Sequence, residues 1–127
     1  MAIVHHHLLF QARVKIKPGS LGEDDFRKFM ENLLKALPTS RTIVMGDFNA
    51  TTDSVVIRRM CENLVDTDPA TTPTWCVYPE GCLTCNRANI DTRLDYIFTS
   101  RDIKTASFQV GNSKGSDHLP ITVTITT

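Results

Sequence analysis

Three short stretches of this chain carry side chains able to do hydrolytic chemistry: Gly46–Asn49 (GDFN), Arg93–Phe98 (RLDYIF) and Ser116–Ile121 (SDHLPI). Between them they supply carboxylates at Asp47, Asp95 and Asp117, an amide at Asn49 and an imidazole at His118. Splitting a phosphoester at neutral pH demands such a set. Water must be held for in-line attack, the charge growing on the phosphoryl oxygens must be neutralised, and the leaving oxygen must be stabilised. Carboxylates with a hard cation meet the last two needs, and a histidine steadied by an aspartate serves as acid, base or cation.

Each stretch also has a plainer reading. Asp47 and Asn49 are two apart, so in an extended segment they face one side. They equally suit an ordinary Asp/Asn turn after a strand. Asp95 interrupts the apolar run Leu94, Tyr96, Ile97, Phe98; a carboxylate there is costly unless paired or hydrated, or unless it sits on the wet face of an edge strand. Asp117 and His118 are neighbours, and neighbours on an extended chain point to opposite faces. The residue that orients His118 is then a distant acid, with Asp95 the candidate. The plain alternative is a surface loop.

The elements that must position these residues can be read from periodicity. Residues Ala2–Lys17 hold β-favouring positions for one or two strands, and Pro18–Gly19 breaks them. Ser20 and Glu23 have capping-box spacing. Phe26, Phe29, Met30, Leu33, Leu34 and Leu37 then form one helical stripe, which Pro38 ends. Thr42–Met45 reads as a strand buried on both faces, closed by Gly46, with Asp47 and Asn49 past its end. Asp53 or Ser54 can cap a short helix running to Leu64. Asp66–Asn89 reads as a long loop, and three strands follow: TRLDYIFTS, DIKTASFQVG and LPITVTIT. The pattern predicts one domain over residues 1–127. Its class is α/β: a layered α/β sandwich with a mixed, largely antiparallel sheet. Polar residues leaving strand ends are where ligands gather in such sheets.

Composition narrows the partners. The 127 residues include 14 basic and 14 acidic side chains. That balance argues against bulk electrostatic gripping of nucleic acid, though not against a local groove. No stretch is long enough to span a membrane. The first residues lack the order of a signal peptide, which predicts an intracellular protein, cytoplasmic or nuclear, or a piece of something longer. Cys61, Cys76, Cys82 and Cys85 include a single C-x-x-C. Four thiolates can close a tetrahedron around zinc, but the other spacings are not those of a zinc ribbon. Free thiols, or a disulfide if the chain is secreted, are the plainer readings.

Taken in order, GDFN, LDYIF and SDHLPI resemble the endonuclease/exonuclease/phosphatase superfamily, which spans apurinic-site endonucleases, deoxyribonuclease I-like enzymes, sphingomyelinases and inositol-phosphate phosphatases. The resemblance covers nearly all of this chain but the C-terminal half of that domain, half of a four-layer sandwich. It implies a Mg²⁺-dependent phosphodiesterase, with Mn²⁺ as a substitute, acting on nucleic acid or another phosphodiester. Asp47 matches the aspartate that holds water or a metal, and Asn49 the phosphate-contacting asparagine. Asp95 matches the aspartate behind the histidine, Asp117 a metal-associated carboxylate, and His118 the histidine beside the scissile phosphate. His7, within VHHHLL, matches a second phosphate-side histidine; solvent-exposed histidines are its plain reading. TPTW, Thr72–Trp75, matches an aromatic loop in which Trp75 stacks on a base or else fills the core. Arg93, with Arg58, Arg59, Arg87 and Lys114, is available to phosphate. The half with the family's metal-binding glutamate does not precede His7. Three alternatives follow: a catalytically incomplete module that binds a ligand or itself, a partner chain or second copy covering an open sheet, and a phosphomonoesterase or phospholipase on the same residues.

Overall fold

The computed structural model describes residues 10–13 and 23–126. The expectations placed on His7 and on the Ser20 cap lie outside the described residues. In chain order the elements are β1 (Phe10–Arg13), α1 (Glu23–Ala36), β2 (Thr42–Asp47), α2 (Val55–Asn63), β3 (Val65–Asp66), β4 (Asp95–Thr99), β5 (Lys104–Val110) and β6 (Ile121–Thr126).

Among the described residues the main sheet has four strands in the order β1-β2-β4-β3. β1 runs parallel to β2, while β2 and β3 both run antiparallel to β4. The sheet is therefore mixed, with antiparallel pairing predominant. β5 and β6 form a separate two-stranded ribbon, and β6 packs against β4. A register irregularity between Ala106 and Gln109 accompanies the left-handed Ser107, at φ 54°.

α1 ends as its sequence dictates: Leu37 N–H reaches Leu33 O at 3.0 Å, and Pro38 follows. Arg27 lies between Asp24 and Glu31 on its polar face. Met30 and Leu37 are buried and Leu33 and Leu34 pack partly against them, but Phe29 is 43% exposed. The apolar stripe is therefore narrower than the sequence periodicity predicts. α2 starts at Ser54, whose hydroxyl accepts from Ile57 N–H at 3.2 Å. Val56, Ile57 and Met60 turn inward from it.

Both helices contribute to one apolar layer with Val44, Phe48, Tyr96 and Phe98. Tyr96 and Phe98 stack with centroids 5.5 Å apart, and Phe48 meets both edge-on at 5.5 and 5.3 Å. Side chains alternate across a strand. With Val44 and Tyr96 in that layer, Asp47 and Asp95 project from the opposite face. Two points differ from the sequence reading. Gly46 does not end β2, which runs on through Asp47; its φ of 152° is a backbone setting that a residue with a Cβ rarely takes. Val65–Asp66, expected to lead into loop, forms β3 and pairs with Thr99 and Phe98. Among the described residues no helix is long and apolar enough to cross a membrane.

Candidate active site

Asp47 and Asp95 are direct partners in the β2–β4 register. Two like charges opposite each other on one face of a sheet are unfavourable. The fold nevertheless secures both. Phe48, only 3% exposed, plugs the aromatic layer immediately after Asp47, and its N–H bonds to Leu94 O at 2.9 Å. Asn49 then takes φ 47°, so the chain turns rather than extends, and its N–H donates to Asp47 Oδ1 at 2.8 Å. The extended geometry expected from the two-residue spacing is thus replaced by a tight Asx turn.

His118 completes the cluster. Its Nδ1 lies 2.7 Å from Asp95 Oδ2, and its Nε2 lies 3.8 Å from Asp47 Oδ2. An ionised carboxylate can only accept, so Nδ1 carries the proton and Nε2 is the nitrogen that faces Asp47. Asp47, Asp95 and His118 each offer a ligand atom within 4.8 Å of the others.

Electrostatics follow from this crowding. Burial pushes the Asp47 carboxyl up from 3.8; the Asn49 N–H and His118 pull it down, while Asp95 and Asp117 push it up, and the net direction is upward. Burial works against charge on His118, but its hydrogen bond to Asp95 and the charges of Asp95, Asp47 and Asp117 outweigh it. The imidazole is held above its ordinary 6.5.

The remaining sequence candidates are placed differently. Asp117 is exposed and stands outside the trio; its Oδ2 lies 3.3 Å from the indole Nε1 of Trp75. Trp75 is half-buried, with its ring 6.5 Å from that of His118. Arg93 does not reach out to solvent. It is buried, forms a fork of two 2.7 Å bonds to Asp66, and lies 4.2 Å over the Tyr96 ring. Its Nε is 4.0 Å from buried Asp68. Its guanidinium is thereby committed to the protein, which corrects its sequence reading as a substrate contact. Cys82 and Cys85 form a disulfide, Cys61 is exposed on α2, and the buried Cys76 thiol donates to Tyr78 O. Thr74 was not singled out by the sequence, yet its hydroxyl sits 2.6 Å from Asp95 Oδ2. The only signal for it was its place beside Trp75 in TPTW.

A layered α/β chain that brings two strand-end acids and an aspartate-steadied histidine to one face has the parts of a phosphoester hydrolase. The profile of the endonuclease/exonuclease/phosphatase family matches residues 9–118, and the chain belongs to this family. No curated protein and no solved structure matches the chain.

Proposed function

We propose that this chain hydrolyses phosphodiester bonds, with nucleic acid the favoured substrate, through Asp47, Asn49, Asp95 and His118. The observation that carries this reading is the 2.7 Å contact between His118 Nδ1 and Asp95, which leaves Nε2 toward Asp47. As imidazolium, His118 presents Nε2–H to the phosphate; as neutral imidazole, it takes a proton there. Asp95 fixes the tautomer and balances the charge. Asp47 orients the attacking water, and the Asn49 amide donates to a phosphoryl oxygen. Half-buried Trp75 beside His118 offers a face for a base, which favours a nucleotide over a lipid.

The carboxylates of Asp47 and Asp95 would hold a divalent cation, Mg²⁺ or Mn²⁺, by their hard oxygens, with the charge of Asp117 also felt at Asp47, while the two nitrogens of His118 stay with Asp95 and the phosphate. A cation bound there neutralises the charge that grows on the phosphoryl oxygens. Within the trio the positive charge of His118 is already balanced by Asp95, so an anionic substrate depends on that neutralisation. The test is cleavage of plasmid DNA and of bis(4-nitrophenyl) phosphate with Mg²⁺ and with chelator. Wild type is expected to cleave only with metal, and His118→Gln to lose about 10²–10⁴-fold. Equal rates for wild type and variant would remove His118 from the chemistry.

A further inference from the structure

We infer that Thr74 is a positioning residue for the Asp95–His118 pair, and that the segment carrying it is the tie that holds the two halves of the site in register. This rests on the reading of Asp95 and His118 as the working pair.

Thr74 is fully buried. Its hydroxyl donates to Asp95 Oδ2 at 2.6 Å, the same oxygen that receives His118 Nδ1 at 2.7 Å. The hydroxyl oxygen in turn accepts from Leu94 N–H at 3.1 Å and Asp95 N–H at 3.3 Å. A hydroxyl has one proton and two lone pairs. Here both lone pairs face backbone donors at the start of β4, so the proton has one direction left, toward the carboxylate. Thr74 therefore fixes the Asp95 rotamer from behind while His118 is fixed from the front.

The backbone repeats this cross-bracing. Thr74 and Trp75 N–H both bond to Thr92 O at 3.0 Å, and Thr92 N–H returns to Trp75 O at 3.2 Å. On the other side, Leu119 N–H bonds to Thr74 O and Val77 N–H to Asp117 O, each at 2.8 Å. Residues 74–77 thus join the strand that bears Asp95 to the loop that bears His118. Side chains that lock a reacting group from behind typically matter 10- to 100-fold, roughly, in activity.

The experiment compares wild type, Thr74→Val and Thr74→Ser in the Mg²⁺ cleavage assay and by NMR of the His118 Nδ1 proton at one fixed pH. Thr74→Val keeps the shape without the hydroxyl, and Thr74→Ser keeps the hydroxyl without the methyl. The expected result is a kcat loss of about 10- to 100-fold in Thr74→Val with KM within about threefold, and rescue to within about threefold of wild type by Thr74→Ser. The Nδ1 proton stays sharp in wild type and Thr74→Ser and broadens or vanishes in Thr74→Val. A folded Thr74→Val with full kcat and an unchanged proton signal overturns the inference. So does a Thr74→Ser as impaired as Thr74→Val, since the methyl would then be what matters. Should Thr74→Val not fold, Thr74→Ser decides alone: retention of kcat and proton supports the role, and loss of both overturns it. A wild type inactive on every phosphoester would sink the proposed function, while the proton comparison would still decide the positioning.

Discussion

His118 Nδ1 and Asp95 Oδ2 lie 2.7 Å apart although 23 residues separate them in the chain. The contact joins a loop before β6 to the first residue of β4, and it brings Nε2 to bear on Asp47 at 3.8 Å. Asp47 is held in this cluster at an electrostatic cost that folding must offset elsewhere.

That cost is measurable at Asp47. Its folded carboxyl titrates above 3.8, so its contribution to stability is complete below that pH and is lost as pH rises through the folded value. At neutral pH the ionised carboxylate is a burden. Asp47→Asn keeps an acceptor for the Asn49 N–H and removes the charge. The variant should melt higher than wild type at pH 7, with the gap closing in acid, while phosphoester cleavage falls by at least about 10²-fold. A variant that melts lower at pH 7 would show that Asp47 stabilises the fold.

His118 has the opposite chemistry and the same sign. Its folded value is raised above 6.5, so the stability it contributes is fully present below 6.5 and fades as pH rises through the folded value. Denaturation midpoints of wild type and His118→Gln should differ most below pH 6.5 and converge as pH rises through the folded value. A constant gap would mean that His118 contributes by packing rather than by charge.

Arg93 should act on stability and not on substrate. It pairs in bidentate fashion with Asp66 beneath the Tyr96 ring. Arg93→Ala leaves buried acids uncompensated and should cost about 3–5 kcal/mol in denaturant titrations. Arg93→Lys should rescue it only in part, because a lysine cannot fork. A stable Arg93→Ala with raised KM would restore the substrate reading.

Phe48 links the core to the site. Buried against Tyr96 and Phe98, it fixes the turn that carries Asp47 and Asn49. Phe48→Ala should cost about 3–5 kcal/mol, and Phe48→Leu less, by chemical denaturation. Where Phe48→Ala still folds, cleavage should fall as well, because the Asp47 turn loses its anchor. Activity intact in such a variant would separate the turn from the aromatic layer.

Much of this was legible in the sequence, for identifiable reasons. α2 was readable because Ser54 is a good cap and Val56, Ile57 and Met60 recur at helical steps. β4 was readable because an apolar run with one acid in it leaves few choices. β3 was not, because two residues carry no period; Val65–Asp66 is a strand only because β4 offers it an edge. Phe29 fits the helical stripe, yet it stays 43% exposed, which spacing alone does not reveal. Arg93 looked free because Asp66 and Asp68, some 25 residues upstream, are joined to it by the fold and not by spacing. The left-handed turn at Asn49 was hidden because an extended reading satisfies the same two-residue interval. Thr74 was marked only by its place beside Trp75, since a buried threonine with a directed hydroxyl is spelled like any other.

Whether Asp95 and His118 work as one unit is decided by a double-mutant cycle on metal-dependent cleavage, with Asp95→Asn, His118→Gln and both together. Residues that act jointly are strongly non-additive. The double variant should then be no slower than the slower single variant, within about threefold. Losses that multiply, or single variants that cleave like wild type, would contradict a working pair built on the 2.7 Å contact.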